Sequence, residues 1–165
     1  MIRKAEISDA KNFFQTHLDC WKETYELFFQ PEVFLKREVR ANERINHIKT
    51  RIENNYPYFV LELNNKIEGI MILTVDPRNN LGIIDSLYIR KKYQRQGYGT
   101  EFLNLALNYF KNLGYLNVTT FCIQGLPANQ FFLQFTTKQL DDSLITISGR
   151  DFIEHNYLFG SDNND

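Results

Sequence analysis

This 165-residue sequence predicts a mixed α/β domain, a largely antiparallel sheet flanked by helices. Three observations carry that reading. Short runs rich in β-branched and aromatic residues are joined by tight-turn residues, Asn64-Asn65 in one place and Ser148-Gly149 in another. Two segments with apolar residues at helical spacing precede the first of those runs. Between residues 82 and 123, a strand, a loop, a helix and another strand follow one another. That is a β-α-β unit, the source of one parallel pair.

Taken in order, residues 1–7 read as a first strand. Ser8-Asp9 then caps a helix that places Phe13, Phe14, His17, Leu18 and Trp21 on one face. From Trp21 to Pro31 the period breaks, and a connecting turn is expected. Pro31 suits the first turn of a second helix, expected to reach Asn54 with Leu35, Val39, Ile45, Ile48 and Ile52 as its buried stripe. Residues 56–63 and 66–75 form a hairpin about Asn64-Asn65, because asparagine tolerates positive φ. A turn at 76–80 leads to a strand at 82–90. The next helix carries Phe102, Leu103, Ala106, Leu107, Phe110 and Leu113 on its apolar face, and Gly114 ends it as a left-handed cap. Residues 118–123 read as a strand, 128–138 as a short helix, and 143–147 and 152–159 as two closing strands. Residues 1–160 form one domain on this reading, with 161–165 a polar tail.

Hydrophobic residues make up 43% of the chain and aromatics 15%, enough for a packed core and against intrinsic disorder. The net charge of −1 argues against nucleic acid or an anionic membrane as partner. Basic residues between 36 and 51 alternate with Glu32, Glu38, Glu43 and Glu53, the pattern of a solvated helix face. Cys20 and Cys122 form no disulfide framework, and His17, His47 and His155 lie far apart, so no metal site is expected. A reducing cytoplasm is the natural compartment. The N-terminus has no apolar h-region, and no stretch is long and apolar enough to span a bilayer.

The junction at residues 91–100 carries the chemistry. A helix N-terminus presents unpaired N–H groups and the positive end of the helix dipole. Gly97 and Gly99 lack a Cβ and let that backbone approach an anion closely. Lys91, Lys92 and Arg95 add positive charge, and no Asp or Glu stands between Lys91 and Thr100. The result is an anion cradle suited to a pyrophosphate. It is not a P-loop, whose Gly-Lys-Ser/Thr is missing, nor a dinucleotide fingerprint, whose third glycine would fall on Phe102.

Leu87-Tyr88-Ile89 followed by Gln94-Arg95-Gln96-Gly97-Tyr98-Gly99 and a helix resembles the acetyl-CoA loop of the GNAT N-acetyltransferases. The resemblance implies that family's fold, with acetyl-CoA as acyl donor, and covers most of the chain. It implies that Leu87, Tyr88, Ile89, Gln94, Arg95, Gln96, Gly97, Tyr98, Gly99 and Thr100 bind the coenzyme. Asn129 and Phe132 would lie beside it, although core packing is the commoner role of a residue such as Phe132. Trp21 and Tyr25, ahead of Pro31, match the loop that borders the acceptor pocket. The family's proton-donating tyrosine falls on Thr136, whose hydroxyl cannot replace a phenol of pKa about 10; Tyr157 on the last strand is the substitute. Asp85, two residues before Leu87, is the first candidate base, ahead of Glu62 and Glu26.

The expected function is therefore acetylation of a primary amine, on a small molecule or a peptide, by direct attack on the thioester. The alternative is a non-catalytic module that binds acetyl-CoA as a sensor. The closing hairpin offers an edge through which a homodimer can form.

Overall fold

The computed structural model describes residues 1–160, and the polar tail expected at 161–165 lies outside the described residues. The chain opens with β1 (Ile2–Lys4), a 3-10 turn (Ile7–Asp9) and α1 (Ala10–Tyr25), then α2 (Pro31–Val39) and α3 (Ala41–Glu53). A meander follows: β2 (Tyr58–Leu63), β3 (Lys66–Asp76) and β4 (Leu81–Ile89). After a 3-10 turn (Lys91–Tyr93) come α4 (Tyr98–Asn112), β5 (Asn117–Ile123), α5 (Ala128–Leu133), β6 (Lys138–Ile147) and β7 (Arg150–Gly160). The sheet order is β1-β2-β3-β4-β5-β7-β6. The expected parallel pair is β4 with β5, from Leu81↔Asn117 to Ile83↔Thr119. β1 with β2, β2 with β3, β5 with β7 and β6 with β7 are antiparallel.

Turn chemistry sets the hairpins. Asn64 and Asn65 take φ of 51° and 59°, and Ser148 and Gly149 take 51° and 78°. Two consecutive left-handed residues make the tight reversal whose twist matches the flanking strands. Gly114 is left-handed (φ 87°), as expected of a helix C-terminal cap.

The chain divides into two compact units. The first comprises residues 1–73 with 86–104, the second residues 74–85 with the chain from Leu105 onward. In the first, α1 and α3 pack on the β1–β3 strands through Ala10, Phe13, Leu18, Ile48, Ile52, Val60 and Ile70. Thr16, buried within α1, donates its hydroxyl proton to Ile67 O at 2.8 Å. Arg3 joins β1 to its neighbours, with a fork on Asp9 (2.7 and 3.1 Å) and Nε on Glu62 (2.7 Å).

Two helical expectations change in the first unit. α1 does not stop at Trp21 but continues to Tyr25. Trp21 is buried among the rings of Tyr25, Phe29 and Phe34, at 5.1, 5.4 and 5.5 Å. The i,i+4 pair Trp21–Tyr25 needs one more helical turn. The single helix expected from Pro31 is two helices, broken at Arg40 (φ −95°, ψ 18°). That break puts the first half out of phase with the second. Leu35 and Val39 are therefore 53% and 86% exposed, and Phe34 is buried instead.

In the second unit, Tyr157 and Phe159 of β7 are buried with Val118 and Thr120 of β5. α5 is shorter than expected and β6 longer. The polar run before Ser143 hides strand alternation because β6 is the outermost strand and carries a register shift between Leu140 and Ser143. Asn156 Nδ2 holds that irregularity by donating to Asp141 O (2.9 Å) and Ser143 Oγ (2.8 Å).

Gly82 of β4 lies under Phe110 of α4: a Cβ built there would meet the ring at 2.5–2.7 Å. Phe110 is fully buried and cannot swing away. Gly82→Ala is expected to destabilise the protein by about 1–3 kcal/mol through overpacking, measurable as a lower urea midpoint with an unchanged m-value.

Candidate coenzyme and acceptor site

The end of β4 and the start of α4 are tied together by the loop's own side chains. Gln94 Nε2 donates to Ile89 O (2.8 Å), and Gln96 Nε2 donates to Lys92 O (3.0 Å). Arg95 and Gly97 both take positive φ, 63° and 91°. At Gly97 a built Cβ would meet nothing within 4 Å. The glycine is required by its backbone conformation, and the space beside it is open to a ligand. Gly97 O accepts the N–H of Glu101, the first i→i+4 bond of α4. The N–H groups of Tyr98, Gly99 and Thr100 thus precede the helical ladder and are available to an anion. Gly99 lies in the first turn of α4.

The charge around it is distributed differently from the expectation. Lys92 is not simply part of a positive rim. Its Nζ lies 3.2 Å from Oε1 of Glu68, a carboxylate of which only 4% is exposed. Arg90 Nε meets the other oxygen of Glu68 at 3.0 Å, and its Nη1 meets Asp19 at 2.8 Å. Burial is the largest single influence and works against the Arg90 charge, but the bond to Asp19 together with the charges of Asp19, Cys20 and Glu68 outweighs it and raises the pKa. The Lys91 N–H donates to Glu23 at 2.8 Å. These groups fix where the strand ends and the loop begins. Sequence reasoning missed Glu68 and Arg90. The available signal was a lone carboxylate inside the apolar run from Ile67 to Leu73. Beside it, Gly69 has its built Cβ 3.1 Å from Tyr88 O and 3.3 Å from Ile89 Cγ1, so a small residue is needed where β3 backs β4.

The first unit also brings together Tyr25 and Tyr88, whose hydroxyls are 3.2 Å apart. His17 joins them, with its ring 5.1 Å from that of Tyr88. Trp21 is buried and its ring faces the Arg37 guanidinium at 3.6 Å. Burial, followed by the nearby charges of Arg37 and Arg44, pushes the His17 pKa down to about 4. Leu87 and Ile89 are half-buried on β4, and Asp85 is exposed. Glu62, a reserve base candidate, is taken by Arg3; Glu26 is exposed just beyond α1.

Asn129, Phe132 and Tyr157 belong to the second unit and form one cluster there. Asn129 Nδ2 donates to Ile123 O (2.8 Å) and Leu126 O (3.0 Å), and its Oδ1 accepts the Tyr157 hydroxyl at 2.7 Å. The Phe132 ring lies against Tyr157 (5.7 Å) and Phe159 (6.2 Å). Tyr157 is 1% exposed, and burial raises its pKa. These three side chains hold α5 against the sheet. Thr136, where the resemblance expects a tyrosine, gives its hydroxyl to Lys138 O (2.8 Å) and Leu158 O (2.7 Å). Among the described residues no group of His, Cys, Asp and Glu could hold a metal ion, and no helix is long and apolar enough to cross a membrane.

Residues 14–135 match the model of the acetyltransferase (GNAT) family. The chain belongs to this family of acetyl-CoA-dependent acyltransferases. Its fold is similar to that of the PaiA N-acetyltransferase of Thermoplasma acidophilum, solved with coenzyme A (TM-score 0.74, 18% identity, 98% of each chain covered). It is similar to an N-acetyltransferase of Staphylococcus aureus Mu50 (TM-score 0.73, 18% identity, 97% of each chain). It also resembles YncA of Salmonella typhimurium, solved with acetyl-CoA (TM-score 0.71, 16% identity, 100% of this chain and 95% of that one). No curated protein matches the sequence.

Two outcomes follow. Tyr157→Phe strands Asn129 Oδ1 in the interior and is expected to cost about 1–3 kcal/mol, read as a lower melting temperature. His17 titrates near 4 in the folded chain but near its ordinary 6.5 when unfolded. The unfolded state therefore binds the proton first as pH falls, and stability declines between those values. Denaturation midpoints at pH 7 and pH 4.5 should differ less in His17→Gln than in the parent protein.

Proposed function

We propose that this chain transfers the acetyl group of acetyl-CoA to a primary amine by direct attack of the neutral amine on the thioester. One observation carries the reading: the loop at residues 94–99 pairs a left-handed glycine facing open space with a helix start whose N–H groups precede the helical ladder. These residues fit a pyrophosphate, and Gly97, Tyr98, Gly99 and Thr100 would hold it through their backbone, with Gln94, Arg95 and Gln96 shaping the loop. When bound, the coenzyme supplies an activated acyl group on a thiolate leaving group.

The chain's own residues do the rest. The strand segment 87–89 runs directly into the loop and is where the acetyl end would lie. Tyr25 borders the acceptor side, and Trp21 supports it from within the core. An ammonium must lose a proton before it can attack, and Asp85, exposed on the same strand, takes it through water. The hydroxyl proton of Tyr157 is engaged by Asn129. The thiolate, with a pKa near ~8.5, leaves tolerably without a donated proton.

A second reading, a sensor that binds acetyl-CoA without turnover, is favoured by one observation: Thr136 replaces the family's tyrosine and spends its hydroxyl on backbone carbonyls. Release of free CoA in the presence of amines separates the two readings.

Acetyl-CoA at about a hundredfold over its dissociation constant adds roughly 2.7 kcal/mol to the folded state, so the melting temperature should rise by roughly 5–10 °C. Gly97→Val, strained at φ 91°, should abolish that rise. No rise in a well-folded, coenzyme-free sample at millimolar acetyl-CoA would refute coenzyme binding. Asp85→Asn should lower kcat/KM on the order of 10²-fold; unchanged turnover would remove Asp85 as the base.

A further inference from the structure

The first unit holds a cavity of ≈ 370 Å³ bounded by α1, α2, α3 and the strands β2 and β3. Phe13, Tyr58 and Ile72 give it apolar walls, while Arg37, Arg40 and Arg44 give it positive charge. Glu43 is the one carboxylate on its lining, and Arg40 takes it through two hydrogen bonds of 2.9 and 2.7 Å. Neither Arg37 nor Arg44 forms an ion pair among the described residues; Arg37 instead faces the Trp21 ring. Arg44 Nε is buried with no hydrogen-bond partner.

A buried guanidinium N–H without an acceptor is unfavourable, and native proteins rarely leave one so. The cavity thus presents two uncompensated guanidinium groups and an orphaned donor beside apolar walls. Guanidinium is planar and matches a carboxylate with two parallel N–H donors. One residue of the lining also adjoins the candidate site. His17 lies on its lining and stacks near Tyr88, whose hydroxyl meets that of Tyr25.

We propose that Arg37 and Arg44 bind a carboxylate carried by the acceptor, so that the acceptor is a small amino acid or amino-acid-like amine. This rests on the acetyl-transfer reading above. The cavity volume falls in the range of small-molecule sites, about 300–1,000 Å³. Two unpaired cations would repel a polyamine, and a lysine within a protein chain brings no carboxylate of its own.

The test compares free amino acids with their methyl esters and amides, and with polyamines and lysine peptides, by CoA release. The free carboxylates should be the preferred acceptors, with the esters lower in kcat/KM by about tenfold to hundredfold, because the arginines are then left unpaired. Arg44→Gln and Arg37→Gln should raise KM for the amino acid by a similar factor and leave the KM of acetyl-CoA unchanged. Arg44→Lys, which keeps the charge and loses the fork, should recover only part of the loss. Equal turnover of the esters, or preference for polyamines, would overturn the proposal.

A second arm does not depend on turnover. Coenzyme-free protein is titrated with succinate and with inorganic phosphate while its melting temperature and the His17 imidazole resonances are followed. A response to succinate that Arg44→Gln removes supports the carboxylate site even if no amine is acetylated, in which case acetyl transfer alone fails. A response confined to phosphate overturns the carboxylate in favour of a phosphorylated acceptor. No response to either overturns the site.

Discussion

Glu68 is the constraint on which the working end of the first unit depends. It is a carboxylate in the interior of a sheet, and its burial is tolerable only because Arg90 and Lys92 both reach it. Those two cations come from the last residue before the 3-10 turn and from within it, so satisfying Glu68 also sets the point where β4 gives way to the loop. Arg90 is fixed further by Asp19 of α1, which ties the strand end to the first helix. With that end pinned, Gln94 and Gln96 can fold back onto Ile89 O and Lys92 O, and Gly97 can turn the backbone into α4. The loop that opens α4 is the upper layer of an arrangement whose lower layer is a buried ion-pair network.

The two halves of this arrangement differed in how readily they could be read from sequence. Gly97 and Gly99 ahead of an apolar-periodic helix announce the loop-to-helix turn, because the requirement is local and few residue types meet it. The asparagine and glycine turns were legible for the same reason, and so was the strand order through the β-α-β unit. Glu68 was not legible, because its partners lie 22 and 24 positions later and nothing near it in sequence signals a buried charge. The helix break at Arg40 was hidden by a run of good helix formers, and only burial of Phe34 in place of Leu35 and Val39 reveals the change of phase. The edge strand β6 was hidden by its own exposure, which removes the alternation that marks a half-buried strand.

Family membership fixes the reaction class more firmly than the proton chemistry. Thr136 stands where the resemblance expects a phenol, and its hydroxyl holds the chain beside Leu158. Tyr157 has the right chemistry, but its proton is engaged by Asn129 within the second unit. A thioester with a good leaving group lowers the demand for an acid. Positioning and removal of the amine proton then become the larger contributions. On the proposed reading, the aromatic wall of Trp21, Tyr25 and Tyr88 and the arginine-lined cavity are where the acceptor would be selected.

Hydrogen–deuterium exchange with and without coenzyme A tests the central claim most directly, since it reports on the backbone N–H groups themselves. The account predicts slowed exchange in the peptides covering residues 94–101 and 86–89 when coenzyme A is present, with the helix α2 peptides unchanged. Binding accompanied by protection elsewhere, with residues 94–101 exchanging as fast as before, would contradict it.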